Sequence, residues 1–292
     1  ARFGWPAIFL AFNGLALGKL LNRIMAATPV ARWAGYMAVT ILRPVKACEA
    51  RPSLSVVIPA RNEMGNIENA LKRMPELGNE IEIIFVEGNS TDDTWGEIQR
   101  VSDRYQHQYK IACYQQPGKG KNDAVRLGFS KATGDLVTIL DADLTMPPEM
   151  LSWFYNAYCD GHGDFINGNR LLYPMEGEAM RFLNRLGNIF FGKALSHVLG
   201  IQIGDSLCGT KLFARRDKDR IVQWRGDFGD FDPFGDFEML FGASELCLGV
   251  TDVPIRYAAR TYGSTNISRF RDGWTLLKMT FTGMRRIRMG KA

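Results

Sequence analysis

The apolar run Leu136-Val137-Thr138-Ile139-Leu140 ends in Asp141-Ala142-Asp143. Side chains two apart on a strand point the same way, so both carboxylates can converge on one hard cation such as Mg2+ or Mn2+. The same residues also fit an exposed acidic turn, or an N-cap for the helix that Pro147-Pro148-Glu149 opens. A second cluster, Gly118-Lys119-Gly120-Lys121-Asn122-Asp123, places two ammonium groups at a glycine-rich helix start, which suits either an anion or a solvated turn. Its spacing is not that of a P-loop. The segment from Asp230 to Glu238 carries Asp230, Asp232, Asp236 and Glu238 among aromatic residues. Asp236 or Glu238 could serve there as a general base, whereas His107, His162 and His197 lie outside every cluster. Between Met180 and Leu199, helical spacing puts Arg181, Asn184, Arg185 and Asn188 on one face, and Phe182, Leu183, Leu186, Ile189 and Phe190 on the others. That face is either a phosphate reader built from guanidinium forks or a polar surface in water.

The elements that must hold these groups begin at Leu54. Short apolar runs at 54–58, 81–86, 111–114 and 136–140 read as strands. They alternate with helices expected over 66–74, 92–104 and 121–132, and after Pro147. This alternation predicts a parallel, doubly wound sheet, in which ligands sit at the carboxyl ends of the strands. Three of those ends are polar: Pro59-Ala60-Arg61-Asn62-Glu63, Glu87-Gly88-Asn89-Ser90-Thr91-Asp92 and Asp141-Ala142-Asp143.

Composition narrows the class. With 46% hydrophobic and 23% charged residues over 292 positions, the chain is globular in type. The five cysteines form no close pair in sequence, which points to a reducing compartment and away from a disulfide framework. Cys159 and His162 lack the second pair that zinc requires. From Ser268 onward seven basic residues face only Asp272, so the tail carries +6 of a total of +5 and the remainder sums to −1. A basic tail on a neutral body favours an anionic membrane surface over nucleic acid. Trp274, Leu277, Phe281 and Met284 add an apolar stripe at helical spacing, giving either an interfacial membrane helix or one docked on the body. No apolar run approaches the ~20 residues that span a bilayer. The chain starts at Ala1, and residues 1–53 read as an N-terminal extension, either a segment of its own or the remnant of an upstream domain. Residues 54–267 form the main domain, and 268–292 a basic amphipathic helix.

Taken in order, Val57-Ile58-Pro59-Ala60-Arg61-Asn62-Glu63, Ser90-Thr91-Asp92-Asp93-Thr94, Asp141-Ala142-Asp143, Pro147-Pro148-Glu149, Gly168-Asn169-Arg170, Cys208-Gly209-Thr210-Lys211 and Val253-Pro254-Ile255 resemble the family 2 glycosyltransferases. The resemblance covers about residues 54–267 and is greatest to the dolichyl- and polyprenyl-phosphate mannose synthases and their bacterial relatives. It implies the α/β GT-A nucleotide-sugar-binding fold, a doubly wound, mostly parallel sheet with flanking helices. It also implies metal-dependent, inverting transfer of a hexose from a nucleotide diphosphate sugar to a polyprenyl phosphate. A glycan, lipid or small-molecule hydroxyl as acceptor, or sugar-nucleotide binding without turnover, are the alternatives. By this resemblance Pro59, Ala60, Arg61 and Glu63 border base and ribose. Glu87 faces the nucleoside, with Gly88 where the family has a second acid, and Asp92 belongs to the same donor group. Asp143 and Asp141 hold Mg2+ or Mn2+ at the diphosphate, Asp141 also facing ribose and sugar. Thr145 stands where the synthases often have Gln, and Asn266 where a Lys is usual. Lys121 and Arg260 meet the donor phosphates, while Arg170, Arg181 and Arg185 meet the acceptor phosphate. Asp236 and Glu238 complete the catalytic acids with Asp141 and Asp143. The expected location is peripheral, on the cytoplasmic face of a membrane.

Overall fold

Apolar runs that stay buried along their whole length build the centre of the molecule. The structure is a computed structural model and describes residues 2–3, 40–41, 44, 46–78, 80–173, 182–228, 232, 235–260, 262 and 269–288. Seven strands form one sheet: β1 (Leu54–Ala60), β2 (Ile81–Glu87), β3 (Lys110–Gln115), β4 (Leu136–Ile139), β5 (Phe165–Asn169), β6 (Lys211–Ala214) and β7 (Val250–Pro254). Their spatial order is β3-β2-β1-β4-β6-β5-β7. The first four are mutually parallel, β5 is parallel to β7, and β6 runs antiparallel to both of its neighbours.

Because successive side chains face opposite sides, one strand feeds two cores. Val56 and Ile58 of β1 and Ile83 and Phe85 of β2 pack beneath α1 (Ile67–Lys72), α2 (Thr94–Tyr105) and α4 (Leu151–Cys159). Val57, Ile84 and Val86 face α3 (Lys121–Lys131) and the layer formed by α5 (Phe182–Leu199), α6 (Arg215–Phe228), α7 (Asp236–Glu245) and α8 (Arg269–Gly283). Both faces being covered explains why these strands read as continuous apolar runs. Each such side chain, fully buried, contributes about 1.5–3 kcal/mol. Phe165 and Phe213, opposed across the antiparallel pair, stack at 5.0 Å between centroids.

The mostly parallel, doubly wound sheet agrees with the sequence reading, with β6 the reversed element. The helix expected over 66–74 is shorter, Ile67–Lys72. The Asn66 side chain makes no cap bond at its start and instead donates to Glu63 at 2.7 Å. A three-residue 3-10 turn, Met64–Asn66, takes up the space where the helix was expected to begin.

Of the N-terminal extension, the structure describes an antiparallel pairing of Arg2–Phe3 with Thr40–Ile41, Pro44, and residues 46–53. Near the other end α8 lies against α5 and continues into a π-helical turn, Met284–Arg288. Trp274, Leu277 and Phe281 of α8 and Leu186 and Phe190 of α5 are exposed. Among the described residues no helix is long and apolar enough to cross a membrane.

Candidate active site

Three tight turns shape the carboxyl edge of the sheet. Asn62 after β1, Asn89 after β2 and Leu144 after Asp143 all have positive φ, at 56°, 57° and 53°. Asparagine tolerates this region, whereas a leucine there is held by its surroundings. The Asn62 carbonyl oxygen of the side chain accepts from the Thr91 amide at 2.7 Å, and the Asn62 amide donates to Ser90 Oγ at 3.0 Å, tying the β1 and β2 turns together. Glu87 accepts from the Ser90 amide at 2.5 Å and is buried beneath that junction. Asp92 accepts from the Thr94 amide and hydroxyl, and Tyr262 donates to its other oxygen at 3.4 Å.

Asp141 and Asp143 lie beyond the end of β4, in the turn closed by the Leu144 amide donating to the Asp141 carbonyl at 3.1 Å. Strand alternation therefore does not set their directions, and each carboxylate has its own cation. Lys121 Nζ is 2.5 Å from Asp141, and Arg260 Nη2 is 2.5 Å from Asp143. Arg260 also reaches Glu63, 3.2 Å from Nη1. Thr145 donates to Asp143 from its amide at 3.1 Å and from its hydroxyl at 2.8 Å.

The electrostatics follow from this packing. Burial pushes the Glu63 carboxyl up to about 7; Asn66 and Arg260 pull it down, and Asp143 and Asp92 add to the rise. Burial would lower Lys121, but Asp141, Asp236 and Asp143 outweigh it and hold the ammonium well above the ordinary lysine value. Lys121 opens α3, and its neighbour Gly209 is pressed against the pair: a Cβ there would collide with Lys121 Nζ and Asp141 Oδ2.

The remaining acids are each paired. Asp236, at the start of α7, is 3.0 Å from Lys211 Nζ, whose side chain is 0% exposed. Glu238 contacts Arg126 at 2.6 Å and Asn122 at 3.2 Å. Arg170 follows β5 and forks onto buried Asp205, Nε at 2.6 Å and Nη2 at 2.9 Å, with Tyr257 beneath its guanidinium. Burial lowers and Asp205 raises the Arg170 value, the net being well above an ordinary arginine. Two of its nitrogens are thus already engaged. Arg185 is exposed on α5, and Arg181 lies outside the described residues. Pro59 and Ala60 end β1, and exposed Arg61 follows them. The site thus brings Glu63, Asp92, Lys121, Asp141, Asp143, Asp236 and Arg260 to one edge. Asp205 belongs to no sequence motif, and Lys211, though it closes the quoted Cys208-Gly209-Thr210-Lys211 segment, has no spacing signal for its pairing with Asp236, 25 positions on.

Among the described residues no three His, Cys, Asp or Glu side chains form a ready metal cage. The donor set nonetheless fits Mg2+ or Mn2+ in a phosphate-bridged site, where one or two carboxylates suffice and the substrate's phosphates complete the shell. The Arg260 guanidinium between Asp143 and Glu63 already shows a cation lodged among these acids.

A family model described as glycosyl transferase family 2 matches residues 55–221. Among curated proteins, an undecaprenyl-phosphate 4-deoxy-4-formamido-L-arabinose transferase from Klebsiella pneumoniae is 26% identical over 75% of this chain and 63% of its own length. The chain thus spans somewhat under two thirds of that relative. A dolichol-phosphate mannosyltransferase from Pyrococcus furiosus is 33% identical over 48% of this chain and 40% of its own. Among solved structures, glucosyl-3-phosphoglycerate synthase from Mycobacterium tuberculosis with Mg2+ and UDP superposes with a TM-score of 0.57 at 17% identity, over 81% of this chain and 79% of that one. S. aureus TarS in complex with UDP-GlcNAc gives a TM-score of 0.54 at 14% identity, over 80% and 67%. These two likenesses concern the GT-A fold.

Proposed function

The chain belongs to glycosyl transferase family 2, and from that premise we propose that it transfers a hexose from a nucleotide diphosphate sugar to a polyprenyl phosphate, with inversion and with a divalent metal. The carrying observation is the pairing of Asp141 with Lys121 and of Asp143 with Arg260 in one cleft: two acids for a metal, two cations for phosphates. Relatives that by name act on undecaprenyl or dolichol phosphate support the acceptor class.

In this reading Glu63, Glu87 and Asp92 line the nucleoside side of the cleft, with Pro59, Ala60 and Arg61 bordering base and ribose. Lys121 and Arg260 turn from their carboxylates to the diphosphate, Arg260 closing over it from the segment after β7. Asp143, with Asp141, holds Mg2+ or Mn2+, which when bound stabilises the charge on the departing diphosphate as a Lewis acid. The acceptor's phosphate oxygen attacks the anomeric carbon from the side opposite the diphosphate. One carbon–oxygen bond forms as the other breaks, and no proton moves. An anionic acceptor needs no general base, which accords with Asp236 and Glu238 both being ion-paired. Arg185 on α5, and Arg181 by the sequence resemblance alone, are the acceptor-phosphate contacts together with Arg170, which Asp205 holds.

The exposed Trp274, Leu277 and Phe281 beside Lys278, Arg285 and Arg286, with Leu186 and Phe190 on the adjoining helix, support a peripheral seat on an anionic, cytoplasmic-facing membrane. The test is incubation of the protein with Mn2+, a panel of labelled UDP- and GDP-sugars and a polyprenyl phosphate in detergent. A lipid-linked sugar is expected; no transfer from any donor would remove the proposal.

A further inference from the structure

The fold joins two of the five cysteines that have no close spacing in the sequence. Cys48 lies in the segment leading into β1, and Cys159 is the last residue of α4. The Cys48 amide donates to the Cys159 carbonyl at 2.7 Å. A backbone bond of this kind sets two Cα atoms roughly 5–6 Å apart, inside the span of about 4.4–6.8 Å that disulfides bridge. The side chains meet as well, the Cys159 thiol facing the Cys48 thiol and the Tyr155 hydroxyl. Both cysteines are free and half-buried.

The approach is held from both sides. Gly161, just beyond α4, has a φ of 75°, and a Cβ there would stand 2.7 Å from the Ala47 amide nitrogen. Tyr155 donates from its hydroxyl to the Pro52 carbonyl at 2.7 Å, and Ser53 Oγ donates to Asp135 at 2.8 Å. Residues 47–53 are thus pinned across the amino ends of β1 and β4, the edge of the sheet opposite Asp143. Cys48 also lines a cavity of about 490 Å3 together with Lys46, Tyr158 and Arg216, which gives a small solute a path to it. Burial and the Cys48 thiol push the Cys159 thiol up to about 11, so it keeps its proton at neutral pH.

We infer that Cys48 and Cys159 are a redox-active dithiol that a peroxide closes to a disulfide. Cys48, on losing its proton, attacks one peroxide oxygen. An S–O bond forms, the O–O bond breaks, and the hydroxide released takes up that proton as water. The Cys159 sulfur then attacks the Cys48 sulfenic acid; the S–S bond forms, the S–O bond breaks, and the hydroxyl leaves with the Cys159 proton as a second water. Two thiols are oxidised by two electrons, and the peroxide is reduced by the same two. In a reducing compartment the pair rests as thiols. Closure staples the root of the N-terminal extension to the end of α4, across a loop that holds β1 to β4, and long loops are where a cross-link constrains the unfolded chain most.

Hydrogen peroxide treatment of the whole protein tests this, on the wild type, Cys48→Ser and Cys159→Ser, read by non-reducing peptide mapping and thermal melts. The wild type is expected to yield a peptide joining Cys48 to Cys159 and an intact mass lower by two hydrogens. Its melting temperature should rise by roughly 4–8 °C, and dithiothreitol should reverse all three changes. Neither serine variant should show them. The wild-type peptide map decides the matter by itself, so the folding of the variants is not required. Oxidation of either cysteine to a sulfinic acid with no joined peptide, or a disulfide that uses another cysteine instead, overturns the inference. A rise in melting temperature that persists in the serine variants overturns the staple.

Discussion

The Arg260 guanidinium lies 2.5 Å from the Asp143 carboxylate although 117 positions separate them in the chain. The same guanidinium reaches Glu63, so one residue from the end of the sheet domain joins the turns after β1 and β4. Charge-assisted bonds of this kind are worth about 1.5–3 kcal/mol, so Arg260→Ala is expected to raise the KM for the sugar nucleotide roughly 10–100-fold. Arg260→Lys should recover part of the loss by charge alone. Donor-concentration series on the three proteins decide it, and an unchanged KM in the alanine variant would contradict a phosphate contact.

Asp143→Asn removes the carboxylate expected to hold the metal while keeping the bond from Thr145 possible. Transfer should fall by about 100-fold or more, in keeping with the loss of several kcal/mol of charge stabilisation. In thermal-shift measurements with UDP, added Mn2+ should raise the melting temperature of the wild type and leave that of the variant where it was. A variant that still responds to Mn2+ would move the metal to other ligands.

Glu63 gives a pH dependence with a definite sign. Burial raises its carboxyl from 4.5 to about 7, so the folded state prefers the protonated form. The stability this contributes is complete below the unfolded value and is lost as pH rises through the folded one. Between about pH 5 and pH 8 the wild type should therefore lose melting temperature relative to Glu63→Gln. Parallel curves across that range would show that Glu63 ionises normally.

The Lys211–Asp236 pair separates a structural from a chemical role. Asp236→Asn leaves a fully buried ammonium without its carboxylate, which is expected to cost about 3–5 kcal/mol. The double change Lys211→Met, Asp236→Leu should fall much nearer to wild-type stability, since it removes both charges. Urea unfolding of the three proteins measures this. Asp236→Asn with wild-type stability and no transfer would instead mark Asp236 as a group that meets the substrate.

The parts of the fold that were legible are those whose signal is local. β1, β2 and β4 are buried on both faces, so their apolar runs and polar ends stand out, and those ends carried Glu63, Asp92, Asp141 and Asp143 into view. β6 has four residues and no alternation to declare its direction, so its reversal is set by its neighbours alone. Strand geometry would converge Asp141 and Asp143, whereas β4 ends at Ile139 and both acids lie in the turn beyond it. The resemblance puts Arg170 at the acceptor phosphate, whereas its buried partner Asp205, 35 positions on, carries no signal in the sequence. Helical spacing puts Leu186 and Phe190 on the apolar sides of their helix, yet both are exposed where α5 packs against α8.

Gly209 has no group that could touch a substrate, yet its bare backbone sets the clearance at which Lys121 and Asp141 meet. In a saturation scan this position would score among the least tolerant, and its loss would imitate the loss of a reactive side chain. The distinguishing sign is graded: damage from Gly209→Ala, Gly209→Ser and Gly209→Val should track the bulk introduced, where damage at Asp143 tracks charge. Part of the centre's accuracy thus resides in a missing atom, and a search confined to functional groups passes over it.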